Sequence, residues 1–459
     1  MQSAAEVFTQ RRQRLAGLIE RAGIEHAVLA SGWARPRNFA HNVFPFRAES
    51  HFLYAIGRHI EGAVLSFEDG SPRLYVTARD PEMALWEGPK PSCEELSSQL
   101  GLEVLPLDEF AVAPDAACVP PQDDESSNWL SALLERDVEA QSGPHLESAD
   151  AALADALVEL RLVHDAAALA QLRWAGEVSA GAHRSGMRAT RGARWEFEVR
   201  GAMEGHILAA GMRTSYESIV STRGEILHVT DSRGALLPGE LLLCDVGAET
   251  PEGWAGDITR TWPTAGKFSS SQREIYELVL GVQQAAIDAV RAGVRFRELH
   301  RAAGRSLGAG LVELGILRGN AEELYERGVV AVFFPHGLGH LLGLDVHDME
   351  DLGDRAGYAA GLQRSESPGE SALRLDRVLE VDQVVTIEPG FYRSPLLLAR
   401  ARADRHVRDA IDWSRLEAFS DVRGIRIEDD VRVTNERAEV LSAAAPKTIA
   451  DLERIVRGE

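Results

Sequence analysis

The sequence predicts an α+β protein in two parts: a smaller α/β domain over residues 1–160, then a larger α+β domain over residues 161–459. Three observations carry this prediction. Helical and strand patterns alternate over roughly the first 150 residues. A long helical pattern over residues 154–187 marks a junction near residues 162–165. Beyond it, strands cluster with helices between them and without regular βαβ alternation.

Taken in order, residues 4–22 carry the period of an amphipathic helix and residues 26–31 read as a strand. The aromatic-rich segment 44–54 suits either a groove lining or a core. Residues 63–67 and 73–77 alternate as two strands about the turn residues Glu68, Asp69 and Gly70. The Pro- and Asp-rich stretch 111–125 reads as a surface loop, followed by a helix around residues 128–135. In the second part, strands are expected at residues 218–222, 241–247, 257–262, 384–388 and 425–433. Two helices lie between them. One starts at the capping box Ser271 and Glu274 and runs to about residue 292; the other spans residues 297–314. Residues 353–372 are rich in Gly, Ser and Glu and read as a long mobile loop.

Composition narrows the function. The net charge of −22, from 49 basic and 71 acidic residues, argues against a nucleic-acid binder, which needs basic patches to meet phosphate. It argues equally against binding an anionic membrane surface. No apolar run approaches the ~18 residues that a membrane span requires. Cys93, Cys118 and Cys244 are few, odd in number and scattered, as expected in a reducing cytoplasm. Residues 1–23 read as a polar helix rather than a signal peptide.

The chemistry centres on residues 335–348, where His336, His340 and His347 fall within twelve residues, interleaved with Gly337, Gly339 and Gly343. Clustered imidazoles suit metal binding or proton transfer, and glycine lets backbone approach a site closely. His336 and His340 are four apart, but the stretch is too Gly-rich for the helix that a zincin motif needs. No G-x-G-x-x-G spacing is completed in this stretch, and no Cys–His signature is found. Four carboxylates stand out because each lies in or at the end of an apolar strand: Asp245, Asp257, Glu388 and Glu428. A carboxylate there must be paired or bear a desolvation cost of several kcal/mol. One such residue reads as a salt bridge; four with a histidine cluster read more economically as a shared cation site. Four carboxylates and one imidazole suit two divalent cations, and oxygen-rich ligation favours Mn²⁺ or Co²⁺ over a thiolate-type zinc site. A pair of cations roughly 3.5–4 Å apart can activate water and polarise a carbonyl.

With these motifs in order, the chain resembles the pita-bread metallopeptidases that cleave next to proline, the Xaa-Pro dipeptidase (prolidase) and aminopeptidase P family. The likeness covers nearly the whole chain, including the aromatic segment 44–54. It implies a pita-bread catalytic domain behind an aminopeptidase P-type N-terminal domain. It also implies two divalent metal ions per chain, Mn²⁺ first, with Co²⁺ or Zn²⁺ as alternatives. By this likeness Asp245 binds one metal, Asp257 and Glu428 bridge both, and His340 and Glu388 bind the second. Glu388 also handles the proton of the attacking water. His228 lies near the substrate, while His336 and His347 hold the scissile carbonyl and the developing oxyanion. Tyr216 and Arg426 line or support the site.

The segment 353–373 resembles a prolidase insertion, and Arg374 then matches the residue that grips a dipeptide carboxylate. The segments 394–421 and 445–449 read the same way. The resemblance therefore implies a cytoplasmic, homodimeric metallohydrolase acting on small proline-containing peptides, with dipeptidase activity first and aminopeptidase P activity as the alternative. A catalytically dead binding module of this fold would be expected to lose ligands, and this chain keeps all five. Two departures stand out. Asp245 and Asp257 are twelve apart, one more than is usual in the family, and the extra residue is expected in the turn over residues 249–253. The run from Val229 to Arg233 after His228 differs from the usual prolidase form.

Overall fold

The computed structural model describes residues 4–78, 81–111 and 114–459, so the expected surface loop over 111–125 is described only in part. The chain divides into two compact units: Met1–Leu162 with Met349–Ala356, and Val163–Asp348 with Gly357–Glu459. The segment Met349–Ala356 joins the first unit although it lies far along the chain.

The first unit is built on a five-stranded sheet in the order Glu103–Pro106, Ser71–Val76, Ala63–Glu68, His26–Ala30, Ala117–Cys118. The inner pairs are antiparallel and the two outer pairs parallel. The expected hairpin turn is a two-residue one: Glu68 pairs with Ser71, and Asp69 (φ 45°) and Gly70 (φ 74°) are both left-handed. That conformation matches the twist of the flanking strands. The aromatic segment splits between its two readings. Helix Ser50–Ile56 is buried throughout and puts Phe52 and Tyr54 in the core, while Phe44 is exposed. Helix Cys93–Leu100 and strand Glu103–Pro106 are additional to the expected elements.

The long helical stretch expected over 154–187 is two helices, Ser148–Arg161 and Ala166–Thr190. Asp165 caps the second by accepting the Ala168 N–H at 2.8 Å. In the second unit, helix Ser270–Ala289 is capped by Ser269 with Gln272, two residues before the expected box. The Ser271 hydroxyl is used elsewhere, donating to Asp421 at 2.7 Å. Helix Phe296–Glu313 lies within one residue of expectation.

Strand register positions the site. Leu241–Asp245 pairs antiparallel with Thr259–Pro263, placing Asp245 opposite Thr259. Opposed residues share a face, and so do residues two apart, so Asp245, Thr259 and Asp257 all point the same way. The ladder is unbroken from Leu241 to Asp245. The turn closes beyond it, with the Thr250 N–H bonded to the Trp254 carbonyl and Gly253 at φ 91°. The extra residue between the two aspartates is therefore absorbed without turning either carboxylate away.

A second ladder repeats the logic. Val384–Ile387 pairs with Asp429–Arg432, and Gly390–Tyr392 pairs with Gly424–Arg426, in one continuous register. The expected strand over 425–433 is thus two strands broken at residues 427–428. Along it Thr386, Glu388 and Tyr392 share a face with Arg426, Glu428 and Asp430. Residues 338–342 run alongside as a further edge: Glu388 N–H bonds to Leu338 O and Thr386 N–H to His340 O. Gly339 permits this approach, since a Cβ there would lie 1.9 Å from the Thr386 carbonyl oxygen. His340, opposite Thr386, joins the same polar face. The Glu428 N–H donates to the Thr259 carbonyl at 3.0 Å and ties the two ladders together.

Candidate metal centre

The five expected ligands converge because their side chains fall on the one face that these two ladders and residues 338–342 share. One ligand atom from each of Asp257, His340 and Glu428 lies within 4.8 Å of the others, and all three residues are buried. His340 Nε2 is 3.4 Å from Asp257 Oδ2 and 3.6 Å from Glu388 Oε1. Asp245 joins through the Tyr216 hydroxyl, which lies 2.5 Å from Asp245 Oδ1 and 2.7 Å from Asp257 Oδ1. Tyr216, His228, Asp245, Asp257, His336, His340, His347, Arg374, Glu388, Arg426 and Glu428 all line one cavity of about 540 Å³. None of the eleven is left outside it.

The electrostatics are those of a cation site. Burial, then the Asp257 charge, pushes the Glu428 carboxyl well above its ordinary range. Burial also raises Asp245 to about 6 and Glu388 to about 7, against the opposing pull of Arg426 on Asp245 and of His340 on Glu388. His340 moves the other way. Burial disfavours its charge, but Asp257 and Glu388 outweigh that and hold it up to about 9. The charge that a cation would supply is thus supplied by a proton on His340. His340 Nδ1 lies 2.9 Å from the Leu341 carbonyl, an obligate acceptor, which assigns the proton to Nδ1 and turns Nε2 toward the carboxylates. The donor set is four carboxylates and one imidazole, which fits a pair of hard or borderline divalent cations.

The other histidines are neutral donors or acceptors. Burial, then Arg426, lowers His336 to about 3; burial, then His340 and Arg374, lowers His347 to about 2. Burial, then Arg426, also lowers His228. His336 Nε2 lies 2.8 Å from the Tyr392 hydroxyl, and the His347 ring packs edge-on against His340 at 4.3 Å. The phenol of Tyr216 is raised first by burial, then by Asp245 and Asp257, so it stays protonated, its single O–H shared between the two carboxylates.

Four residues of this site were absent from the sequence reading. Thr259 donates to Glu428 Oε2 at 2.6 Å and accepts from Arg426 Nε at 2.9 Å. Thr386 accepts the His340 N–H at 3.1 Å. Tyr392 accepts from Arg426 at 3.3 Å, and Asp430 accepts the Asp257 N–H at 3.2 Å on both oxygens. The signal that marks them is the period of two: each lies an even number of residues from a ligand on its own strand.

Comparison with known proteins agrees with this geometry. A model of metallopeptidase family M24 matches residues 170–435, and one of the aminopeptidase P N-terminal domain matches residues 8–117. A probable Xaa-Pro aminopeptidase of Talaromyces marneffei is 33% identical over 428 residues, covering 90% of this chain and 88% of its own. The Xaa-Pro aminopeptidase of Haemophilus influenzae is 32% identical, covering 98% of this chain and 97% of its own. Among solved structures, Pseudomonas aeruginosa aminopeptidase PepP matches with a TM-score of 0.79 at 28% identity, over 100% of this chain and 99% of its own. Zinc-substituted E. coli aminopeptidase P in complex with product matches with a TM-score of 0.78 at 28% identity, with the same coverage. These relatives bear the aminopeptidase name, which the sequence reading held as its alternative, and not the dipeptidase name it put first. The chain belongs to metallopeptidase family M24, with a pita-bread catalytic domain preceded by a smaller aminopeptidase P-type N-terminal domain.

Proposed function

We propose that this chain is an Xaa-Pro aminopeptidase, which releases the first residue of a peptide whose second residue is proline. The observation that carries the reading is the gathering of Asp245, Asp257, His340, Glu388 and Glu428 on one buried polar face, in a chain whose relatives bear that name. Two divalent ions held there, manganese first and cobalt or zinc as alternatives, would supply water activation and carbonyl polarisation. Asp245, Asp257, His340, Glu388 and Glu428 would hold them, with Asp257 and Glu428 placed between the others. Glu388 takes the proton of the attacking water, as a carboxylate lining the cavity beside His340 can. His347 offers an N–H to the developing oxyanion. His336, whose Nδ1–H donates to the Gly337 carbonyl at 2.8 Å and whose Nε2 accepts from Tyr392, stands beside the scissile carbonyl, and His228 orients the peptide beside them. Arg426 bonds to Asp245 Oδ2 at 2.5 Å and, with Tyr216, holds that carboxylate in place. Residues 1–160 form the N-terminal domain in this reading and residues 161–459 the catalytic one. The protein acts as a cytoplasmic homodimer, consistent with its three free thiols.

A second reading, dipeptidase, is favoured by one observation: Arg374 lines the cavity, where its guanidinium could grip a free carboxylate. Turnover of an Xaa-Pro-Yaa tripeptide and the matching Xaa-Pro dipeptide by manganese-loaded enzyme separates the two. The tripeptide should be preferred in kcat/KM by roughly tenfold or more. A dipeptide preference overturns the first reading in favour of the second. In either case Arg374→Ala should raise KM roughly tenfold and leave kcat and metal content near wild type. An unchanged KM would remove Arg374 from substrate binding.

A further inference from the structure

The segment that composition marks as mobile is fastened to the helix Phe296–Glu313 and its neighbours. Asp376, fully buried, takes a two-pronged ion pair from Arg295 at 2.6 and 2.7 Å and a third contact from Arg297 at 2.7 Å. Six residues earlier Glu370, 5% exposed, takes Arg301 Nε at 2.7 Å and Nη2 at 3.3 Å. Its Oε1 also accepts the Tyr325 hydroxyl at 3.3 Å. Burial works against the Glu370 charge, yet Arg301 holds the carboxyl below its ordinary range. Between these anchors the Leu373 carbonyl accepts from the Tyr358 hydroxyl at 2.7 Å and from Arg364 at 3.2 Å.

This anchored strap forms part of the cavity wall. Ala372 and Arg374 line the cavity. The strap backbone lies directly on the glycine that follows His336: a Cβ at Gly337 would be 3.2 Å from Leu373 Cα and 3.3 Å from the Ala372 carbonyl oxygen. At the other side, a Cβ at Gly357 would be 2.1 Å from the Arg374 carbonyl oxygen. Arg374 therefore sits between two anchors of different kinds. The Asp376 anchor is fully enclosed, with three bonds to two arginines. The Glu370 anchor is a single carboxylate held to the rest of the unit by one arginine and one phenol, and it also accepts from Ser365 within the segment itself. Its removal would loosen residues 370–374 and leave the strap attached at Asp376.

We propose that Glu370, through Arg301 and Tyr325, is the positioning residue that holds this strap against the cavity and sets peptide affinity by placing Arg374. The inference rests on the peptide-substrate reading above. It is tested by steady-state kinetics of the full-length, manganese-loaded protein on the tripeptide and the dipeptide. The variants are Glu370→Gln, Tyr325→Phe, Arg374→Ala and the double variant Glu370→Gln with Arg374→Ala. Glu370→Gln should raise KM roughly fivefold on the better substrate, with kcat within about twofold and metal content unchanged. Tyr325→Phe should shift KM the same way by less. Because Glu370 acts through Arg374, its substitution should add nothing in the Arg374→Ala background.

Three results overturn the inference: a wild-type KM in Glu370→Gln, a fully additive double variant, or a loss of kcat and metal together. If Glu370→Gln does not fold, Tyr325→Phe with and without Arg374→Ala carries the same cycle. A wild-type protein that cleaves neither peptide defeats the substrate reading and this inference with it. A wild type that cleaves one of them, with variants that fail these outcomes, defeats only the inference.

Discussion

Glu428→Gln should make the metal-free protein more stable and the metal-loaded enzyme nearly inactive. The Glu428 carboxylate is 2% exposed, and after burial itself the main causes raising its pKa are the charges of Asp257, Glu388 and Asp245. Without cations this is a knot of like charges in low dielectric. A glutamine keeps the shape, its oxygen can still accept from Thr259, and its amide can donate to the carboxylates it formerly repelled. The metal-free variant should therefore gain on the order of 2 kcal/mol. It should also lose a bridging ligand, and with it transition-state charge stabilisation of several kcal/mol, a fall in kcat/KM of about a thousandfold.

The pH dependence follows with a definite sign. Asp245 at about 6 and Glu388 at about 7 lie above their unfolded values, so the folded metal-free state binds more protons than the unfolded chain between those limits. Stability then falls as pH rises through that window. Metal-free wild type should melt higher near pH 6.5 than near pH 8, a range above the ordinary histidine value in which the depressed His336 and His347 are neutral folded or unfolded. Added manganese should raise the melting temperature most at the higher pH, where the ligands are ionised. Thermal melts with chelator and with manganese at both pH values check this. A metal-free Glu428→Gln that melts below wild type, or one that keeps more than about a tenth of the activity, would contradict the assignment of this carboxylate.

The candidate ligands were legible in the sequence because each carboxylate is a charge placed where the local pattern calls for an apolar residue. Asp245 ends Leu241, Leu242, Leu243 and Cys244; Glu388 ends Val384, Val385, Thr386 and Ile387. Thr259, Thr386 and Tyr392 were not legible for the converse reason. Threonine and tyrosine are ordinary strand residues on either face, so nothing local distinguishes a site contact from a β-former. The helix cap was misplaced because the sequence offers two overlapping boxes, Ser269 with Gln272 and Ser271 with Glu274. Asp421, more than a hundred residues along the chain, accepts from both serines, and it is Ser269 whose hydroxyl also takes the Gln272 N–H. Residues 353–372 read as mobile because the anchors in and just beyond them are pairs 69 and 81 residues apart, Arg301 with Glu370 and Arg295 with Asp376. Composition records the small and polar residues of such a segment and carries no trace of its distant partners. The break at residues 427–428 belongs to the same class, since it arises where one strand changes partners between two ladders.

The residue behind the site with the largest expected effect on stability is Arg260, on the opposite face of the strand that carries Thr259. It is fully buried, and its five N–H donors can all be assigned. Nε bonds to Pro446 O at 3.0 Å, Nη1 to Thr259 O at 3.0 Å and Glu428 O at 2.5 Å, and Nη2 to Asp429 Oδ1 at 2.7 Å and Ala445 O at 3.0 Å. Asp429 is equally well served, by Ser442, Lys447 and Gln283 in addition to Arg260. Burial disfavours its charge, but Arg260 and Lys447 hold its carboxyl down to about 2. A satisfied network of this kind is costly to break from one side, because the remaining groups stay buried without partners. Arg260→Met should cost about 4 kcal/mol. Arg260→Lys, with three donors in place of five, should cost less but not nothing.

Asp429 supplies the pH signature. A carboxyl depressed in the folded state contributes stability that is present above its unfolded pKa and lost as pH falls toward the folded value. In wild type that loss should run from about pH 4 down to about pH 2, and in Arg260→Met it should be smaller, because less of the depression remains. The same guanidinium grips the carbonyls of Thr259 and Glu428, so the variant should also bind manganese 10- to 100-fold more weakly, as expected when support behind a ligand is lost. Denaturant unfolding across that pH range, with metal titration at neutral pH, measures both effects in one variant. An Arg260→Met protein of wild-type stability would mean that the buried pair can be replaced by packing alone. Lost stability with undiminished manganese affinity would mean that the strand carrying Glu428 is held in place without this guanidinium.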